Sequence, residues 1–135
     1  MSKKAYIFIP LILGCLVISG TGFYFYLKTQ NQMAQRHHLV CEVLKPGMSK
    51  EEVKTIINRV GSYTTSQADW GNGFFVFDVK FTNPKIDAQY GYFELVFFDY
   101  QYVRAVIPHG SDNPEIVCDF YKLVESATET PKPSP

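Results

Sequence analysis

The sequence predicts an α+β domain carried on an N-terminal transmembrane helix. Three observations carry that prediction. Residues 5–27 form a run without a single charge, long enough to cross a hydrocarbon core of about 30 Å as a helix. Residues 49–61 show a capped helix start followed by a helical apolar stripe. Residues 74–107 then change to alternating and continuous apolar runs broken by short polar turns, the pattern of an antiparallel meander.

In the first segment, residues 1–28, Pro10 lies near the start of the apolar run, where it costs least, and Phe23-Tyr24-Phe25-Tyr26 suits an interfacial aromatic belt. Two other readings compete with an uncleaved anchor. Ser19-Gly20-Thr21-Gly22 offers small residues for signal-peptide cleavage, and Ile12-Leu13-Gly14-Cys15 is similar to a lipobox. Either would leave further apolar residues at the mature N-terminus, so length favours the anchor. Lys3 and Lys4 precede the span while Lys28 and Arg36 follow it, a balance that points the N-terminus towards the cytoplasm and the domain outside an inner or plasma membrane.

Residues 29–125 form the predicted domain. Met33, His37, Val40 and Leu44 fall at helical spacing, so a first helix continues from or follows the span. Pro46-Gly47 breaks it and turns the chain into a second helix, giving a helical hairpin. Ser49 is the expected N-cap, with Glu52 reaching back in a capping box and Met48 facing Val53 as a hydrophobic staple. Val53, Ile56, Ile57 and Val60 make one stripe, and Gly61 ends it.

Residues 62–73 read as a polar loop closed by Gly71-Asn72-Gly73. A first strand follows over 74–82, with Phe75, Phe77, Val79 and Phe81 on one face and Asp78 and Lys80 on the other. Residues 83–91 read as a polar loop. A buried central strand covers 92–99, and a third covers 102–107, stopped by Pro108. Asn113-Pro114-Glu115 then has the form of a helix start, placing Ile116, Phe120, Leu123 and Val124 on one face of a short C-terminal helix. Residues 126–135 are Pro-, Ser- and Thr-rich and are expected to be disordered.

Cys15 lies in the predicted span, leaving Cys41 and Cys118 as the one pair in the domain. Outside the cytoplasm such a pair is a candidate disulfide; two free buried thiols are the alternative.

The order of a helix, a Gly-Met-Ser-x-x-Glu-Val helix and a three-stranded meander resembles the SmpA/OmlA family. These are small BamE-type envelope proteins whose fold is shared with β-lactamase inhibitory proteins. The matching positions are Gly47, Met48, Ser49, Glu52, Val53, Ile57 and Gly61, then Val96, Phe98, Asp99, Val103 and Val106. The likeness covers roughly residues 43–107. It implies the helical hairpin packed on the meander, and a role as scaffold or assembly accessory in the cell envelope. It also implies an alternative, a binder that inhibits an enzyme. None of the matched positions is a contact motif of that family.

The chemistry-bearing residues are sparse. His37, His38 and His109 lack a Cys or acid at ligand spacing, so no metal is expected. No nucleophile elbow, phosphate loop or paired acid is present, so neither catalysis, nor a cofactor, nor a small-molecule substrate is expected. Thirteen Lys+Arg balance thirteen Asp+Glu without a basic stripe, which argues against nucleic acid as a partner. The aromatic content of 16% is the stronger signal. Tyr63, Trp70, Tyr90, Tyr100 and Tyr102 lie in predicted loops or at strand ends, where a large apolar body with a polar tip suits an envelope protein partner.

Overall fold

The computed structural model describes residues 5–108 and 114–128. Its N-terminal half is dominated by helix α1, Ala5–His37, which runs directly into a π-helical turn at His38–Val43. The helix is long and apolar enough to cross a membrane, and none of its apolar window is buried in the protein. Lys3 and Lys4, used above for orientation, lie outside the described residues.

The Pro46-Gly47 turn leads into α2, Lys50–Val60. Gly47 adopts φ +84°, a left-handed value that a side chain would strain. The capping box is complete: the Ser49 hydroxyl accepts the Glu52 N–H at 3.3 Å, and the Ser49 N–H donates to Glu52 Oε2 at 2.8 Å. Those bonds to Ser49 hold the Glu52 carboxyl below its ordinary pKa. Val53 and Ile57 are fully buried.

Six strands follow: β1 Tyr63–Thr64, β2 Gln67–Gly71, β3 Phe74–Phe81, β4 Phe93–Phe98, β5 Gln101–Ile107 and β6 Glu115–Asp119. They form one antiparallel sheet in the order β1-β3-β4-β5-β6, with β2 also on β3. The turn before α2 joins this sheet. Gly47 donates to the Tyr102 carbonyl at 2.9 Å and the Tyr102 N–H donates to the Met48 carbonyl at 2.8 Å. The Gly-Met-Ser run therefore seats the helix start against β5.

One sheet face carries Phe77, Val79, Phe81, Phe93, Leu95 and Phe97 against Leu39, Val40, Leu44, Val53 and Ile57. The other face is covered at one end by α4, Tyr121–Thr128, through Tyr121 and Val124 against Val76, Val96, Val103 and Val106. Cys41 and Cys118 are joined in a disulfide, with Cα atoms 5.8 Å apart, which ties the π-helical turn to β6.

Four sequence expectations are corrected. The sheet has six strands instead of three, because residues 62–73 supply β1 and β2 on β3 and residues 115–119 supply β6 on β5. Residues 83–91 hold a helix, α3 Pro84–Tyr90, capped by the Asn83 side chain accepting the Lys85 N–H at 2.9 Å. The helix expected from Asn113-Pro114 is instead β6, whose Ile116 and Val117 belong to a strand paired with β5; Asn113 itself lies outside the described residues. α4 starts later, at Tyr121, and carries on through Ser126, Ala127 and Thr128, which were expected to be disordered.

Helix α3 also fixes the domain to α1. Gln32 Nε2 donates to the Ala88 carbonyl at 3.2 Å, and Arg36 Nε donates to the Tyr90 carbonyl at 2.6 Å. Arg36 is 7% exposed, and this burial holds its guanidinium below the ordinary arginine value. Gly91, at φ +68°, leaves room for it, since a Cβ there would meet the Arg36 and Gln32 side chains.

Candidate partner-binding face

Two turns meet at one end of the sheet. The β2–β3 hairpin closes through Gly71-Asn72-Gly73, all at positive φ. The β4–β5 hairpin closes through Asp99 (φ 49°) and Tyr100 (φ 64°). Two central residues with positive φ match the right-handed twist of a hairpin, and this geometry ordinarily selects Asn-Gly. Asp tolerates it, whereas Tyr adopts it at a cost of about 1–2 kcal/mol. The Asp99 N–H donates to the Gly73 carbonyl at 3.0 Å and locks the two turns together.

Tyr100 is 76% exposed and Trp70 55% exposed. Tyr100 lines an open cleft of about 510 Å³, bounded by β2, the start of β3, the β4–β5 turn and the start of α2; Trp70, in the β2 bulge, does not line it. The floor of the cleft is aromatic. The Phe75 ring stacks on Phe97 with centroids 4.8 Å apart and stands 6.1 Å from the Tyr100 ring. Lys50 Nζ lies 5.6 Å from the Phe75 centroid and donates to Gln67 Oε1 at 2.6 Å. Asp69 and Asp99 complete a rim of mixed charge. Such a surface combines rigid aromatic anchors with satisfied polar groups, the chemistry of a protein interface.

The five sequence-predicted aromatics separate here. Trp70 and Tyr100 belong to this end of the sheet. Tyr102 does not: it is fully buried, its hydroxyl donates to the Val40 carbonyl at 2.6 Å, and burial drives its pKa well above the ordinary tyrosine value. The Asp99-Tyr100 turn reverses the strand so that residues two apart have opposite fates. Tyr63 is half-buried, with its ring 6.0 Å from Phe77 and 6.5 Å from Phe81. Tyr90 is half-buried 5.5 Å from the Phe81 ring, at the junction of α3 with α1. Tyr63 and Tyr90 therefore pack the domain with part of each ring, and Tyr102, wholly buried, is corrected as a contact residue. Lys50, Gln67, Asp69 and Phe75 were missed, because their convergence depends on pairing between β2 and β3 that the polar sequence concealed.

Elsewhere, His38 Nδ1 lies 2.8 Å and His37 Nδ1 3.6 Å from the Glu42 carboxylate, an exposed cluster at the end of α1. The hydrogen bond with His38 holds the Glu42 carboxyl below its ordinary pKa. His109 lies outside the described residues. Among the described residues no three His, Cys, Asp or Glu side chains are grouped to hold a metal ion. No family model, curated protein or solved structure matches the chain.

Proposed function

We propose that the chain is a membrane-anchored interaction domain of the SmpA/OmlA type, displayed outside the cytoplasm as a scaffold or assembly accessory of the cell envelope. The single observation that carries this reading is Tyr100. An exposed aromatic held in a left-handed turn opposes stability, and strain of that kind is retained where a surface has a task. The aromatic floor beside it, Phe75 stacked on Phe97, and an exposed Trp70 at the same end of the sheet give that task the character of partner docking.

The anchor and the disulfide support the placement. A bridged pair suits an oxidising compartment, and the Lys3/Lys4 side of the span suits the cytoplasm. The capped helix laid against β5 and the β3-β4-β5 meander support the family type.

The test is photo-crosslinking in intact membranes from a probe at position 100, with a second probe at Lys122 as control. A discrete adduct from position 100, lost in Trp70→Ala and absent from the Lys122 probe, is the expected result. Equal, diffuse adducts from both positions would overturn the assignment of this face. Thiol labelling of reduced protein in sealed cells checks the side of display: Cys41 and Cys118 react before lysis if the domain is outside.

A further inference from the structure

Strands β1 and β2 are one edge. Tyr63 opposes Phe81, Thr64 opposes Lys80, and Gln67, Ala68 and Asp69 oppose Phe77, Val76 and Phe75, so the offset never changes from residue 63 to residue 69. The interruption at Thr65 and Ser66 is local, where the Ser66 N–H turns to the Asp78 carboxylate. Residues 63–71 thus run along β3 as a nine-residue border of the sheet, about 30 Å long.

The direction of its backbone groups follows from two bonds. The Ser62 carbonyl accepts the Thr82 N–H at 3.0 Å, and the Ser66 carbonyl accepts the Asp78 N–H at 3.2 Å. In an antiparallel ladder the bonding residues alternate, so the even-numbered residues face β3. Thr65, Gln67 and Asp69 then direct N–H and C=O away from the sheet. Among the described residues no strand or backbone group of this chain pairs with that outward row. Every residue from Thr64 to Gly73 is exposed.

Proteins ordinarily guard such an edge with Pro, Lys or a bulge. The opposite border, β6, is guarded: Pro114 precedes it, Glu115 and Asp119 flank it, and the disulfide pins it to the π-helical turn. The 63–71 border contains no Pro, Lys or Arg, its one charge is Asp69, and its one bulge lies at its far end, between Asp69 and Gly71. The aromatic cleft lies alongside it, since Asp69 and Phe75 share a face by register.

We propose that this border receives an extended segment of a partner polypeptide as an added β-strand. Main-chain bonds to Thr65, Gln67 and Asp69 supply the affinity. Alternate side chains of the incoming strand, seated on the cleft face beside Gln67, Asp69 and the Lys50 that bonds Gln67, supply the selectivity. The inference rests on the interaction reading above and names the conformation of its partner.

The experiment uses the full-length protein in nanodiscs and linear peptides selected on it from a random display library. A selected peptide slows amide exchange at Thr65, Gln67 and Asp69. Thr65→Pro and Gln67→Pro each remove one outward N–H and weaken binding by roughly three- to tenfold, the effect of one hydrogen bond. Lys122→Ala, an exposed change on α4 outside this border, leaves affinity unchanged. Should either proline variant melt early, N-methylation of alternate peptide residues reads the same bonds from the other partner, with the same loss expected. If no selected peptide protects the three amides, the inference is overturned. Protection that arises without peptide as protein concentration rises means the border pairs with a second copy, and overturns it too. An adduct from position 100 that survives both proline substitutions leaves the interaction reading standing and removes only the added strand.

Discussion

Replacing Tyr102 by Phe deletes one oxygen atom from a fully buried ring. That oxygen donates to the Val40 carbonyl at 2.6 Å and lies 3.7 Å from Cys118 Sγ, where the π-helical turn, β5 and β6 converge. The ring itself stays packed against Phe97 and Phe120, at 5.9 and 6.2 Å, so the change isolates the hydrogen bond. Stripping a buried carbonyl of its donor costs about 1–3 kcal/mol. In a domain of roughly 100 residues each kcal/mol lowers the midpoint by about 4–8 °C, so a fall of about 5–15 °C is expected. The assay is thermal unfolding of the full chain in detergent, followed by near-ultraviolet circular dichroism; the far-ultraviolet signal is dominated by α1. Tyr100→Ala is the companion variant and melts within a few degrees of the parent, being an exposed substitution. In crosslinking the order reverses: Tyr102→Phe keeps the adduct from a probe at Trp70, and Tyr100→Ala loses it. A Tyr102→Phe protein that melts within about 2 °C of the parent refutes the burial argument.

Three further outcomes are expected. Tyr100→Gly is more stable than Tyr100→Ala by about 1 kcal/mol, because both lose the ring but only Gly escapes the left-handed penalty; equal melting points in chemical denaturation would show that the turn is unstrained. Reducing the Cys41–Cys118 bond, or replacing both residues by Ser, lowers stability by up to about 4 kcal/mol, given the sequence separation of 77 residues; unchanged melting with and without reductant would remove that contribution. Partial desolvation first, and then the Glu94 and Asp78 carboxylates, raise the pKa of Tyr92, itself 36% exposed, to about 12 from 10.0. Its folded form resists ionisation, so its contribution is intact below pH 10 and is lost as pH rises towards 12. Tyr92→Phe flattens that part of the alkaline stability profile, and an unchanged slope would count against the shift.

Local signals carried much of the fold. The Ser49 capping box, the Val53/Ile57 stripe and the alternation from Phe75 to Phe81 are each decided by neighbours in the chain, and each is present. What was illegible depended on distant partners. Asn83-Pro84 and Asn113-Pro114 carry the same helix-start grammar, yet the first caps a helix and the second precedes a strand. Residues 115–119 contain β-branched Ile116 and Val117 and meet the open side of β5, so pairing prevails over the start signal. Residues 63–71 alternate weakly and look like a loop until β3 supplies the other half of their ladder. The site suffered the same way: Trp70 and Tyr100 were visible as aromatics at turns, but nothing local separates the exposed Tyr100 from the buried Tyr102.

Helix α1 passes without a break from its apolar length to the turns that hold α3, so it works as an axle. One residue added between Leu27 and Gln32 would lift the domain by about 1.5 Å and rotate it by roughly 100°. On the proposed membrane-anchored reading, the compass bearing of the Tyr100 cleft over the bilayer is thereby set by helical phase. A neighbour confined to the same membrane meets that cleft from one azimuth, and an insertion of seven residues, close to two full turns, would restore the heading that a single residue destroys.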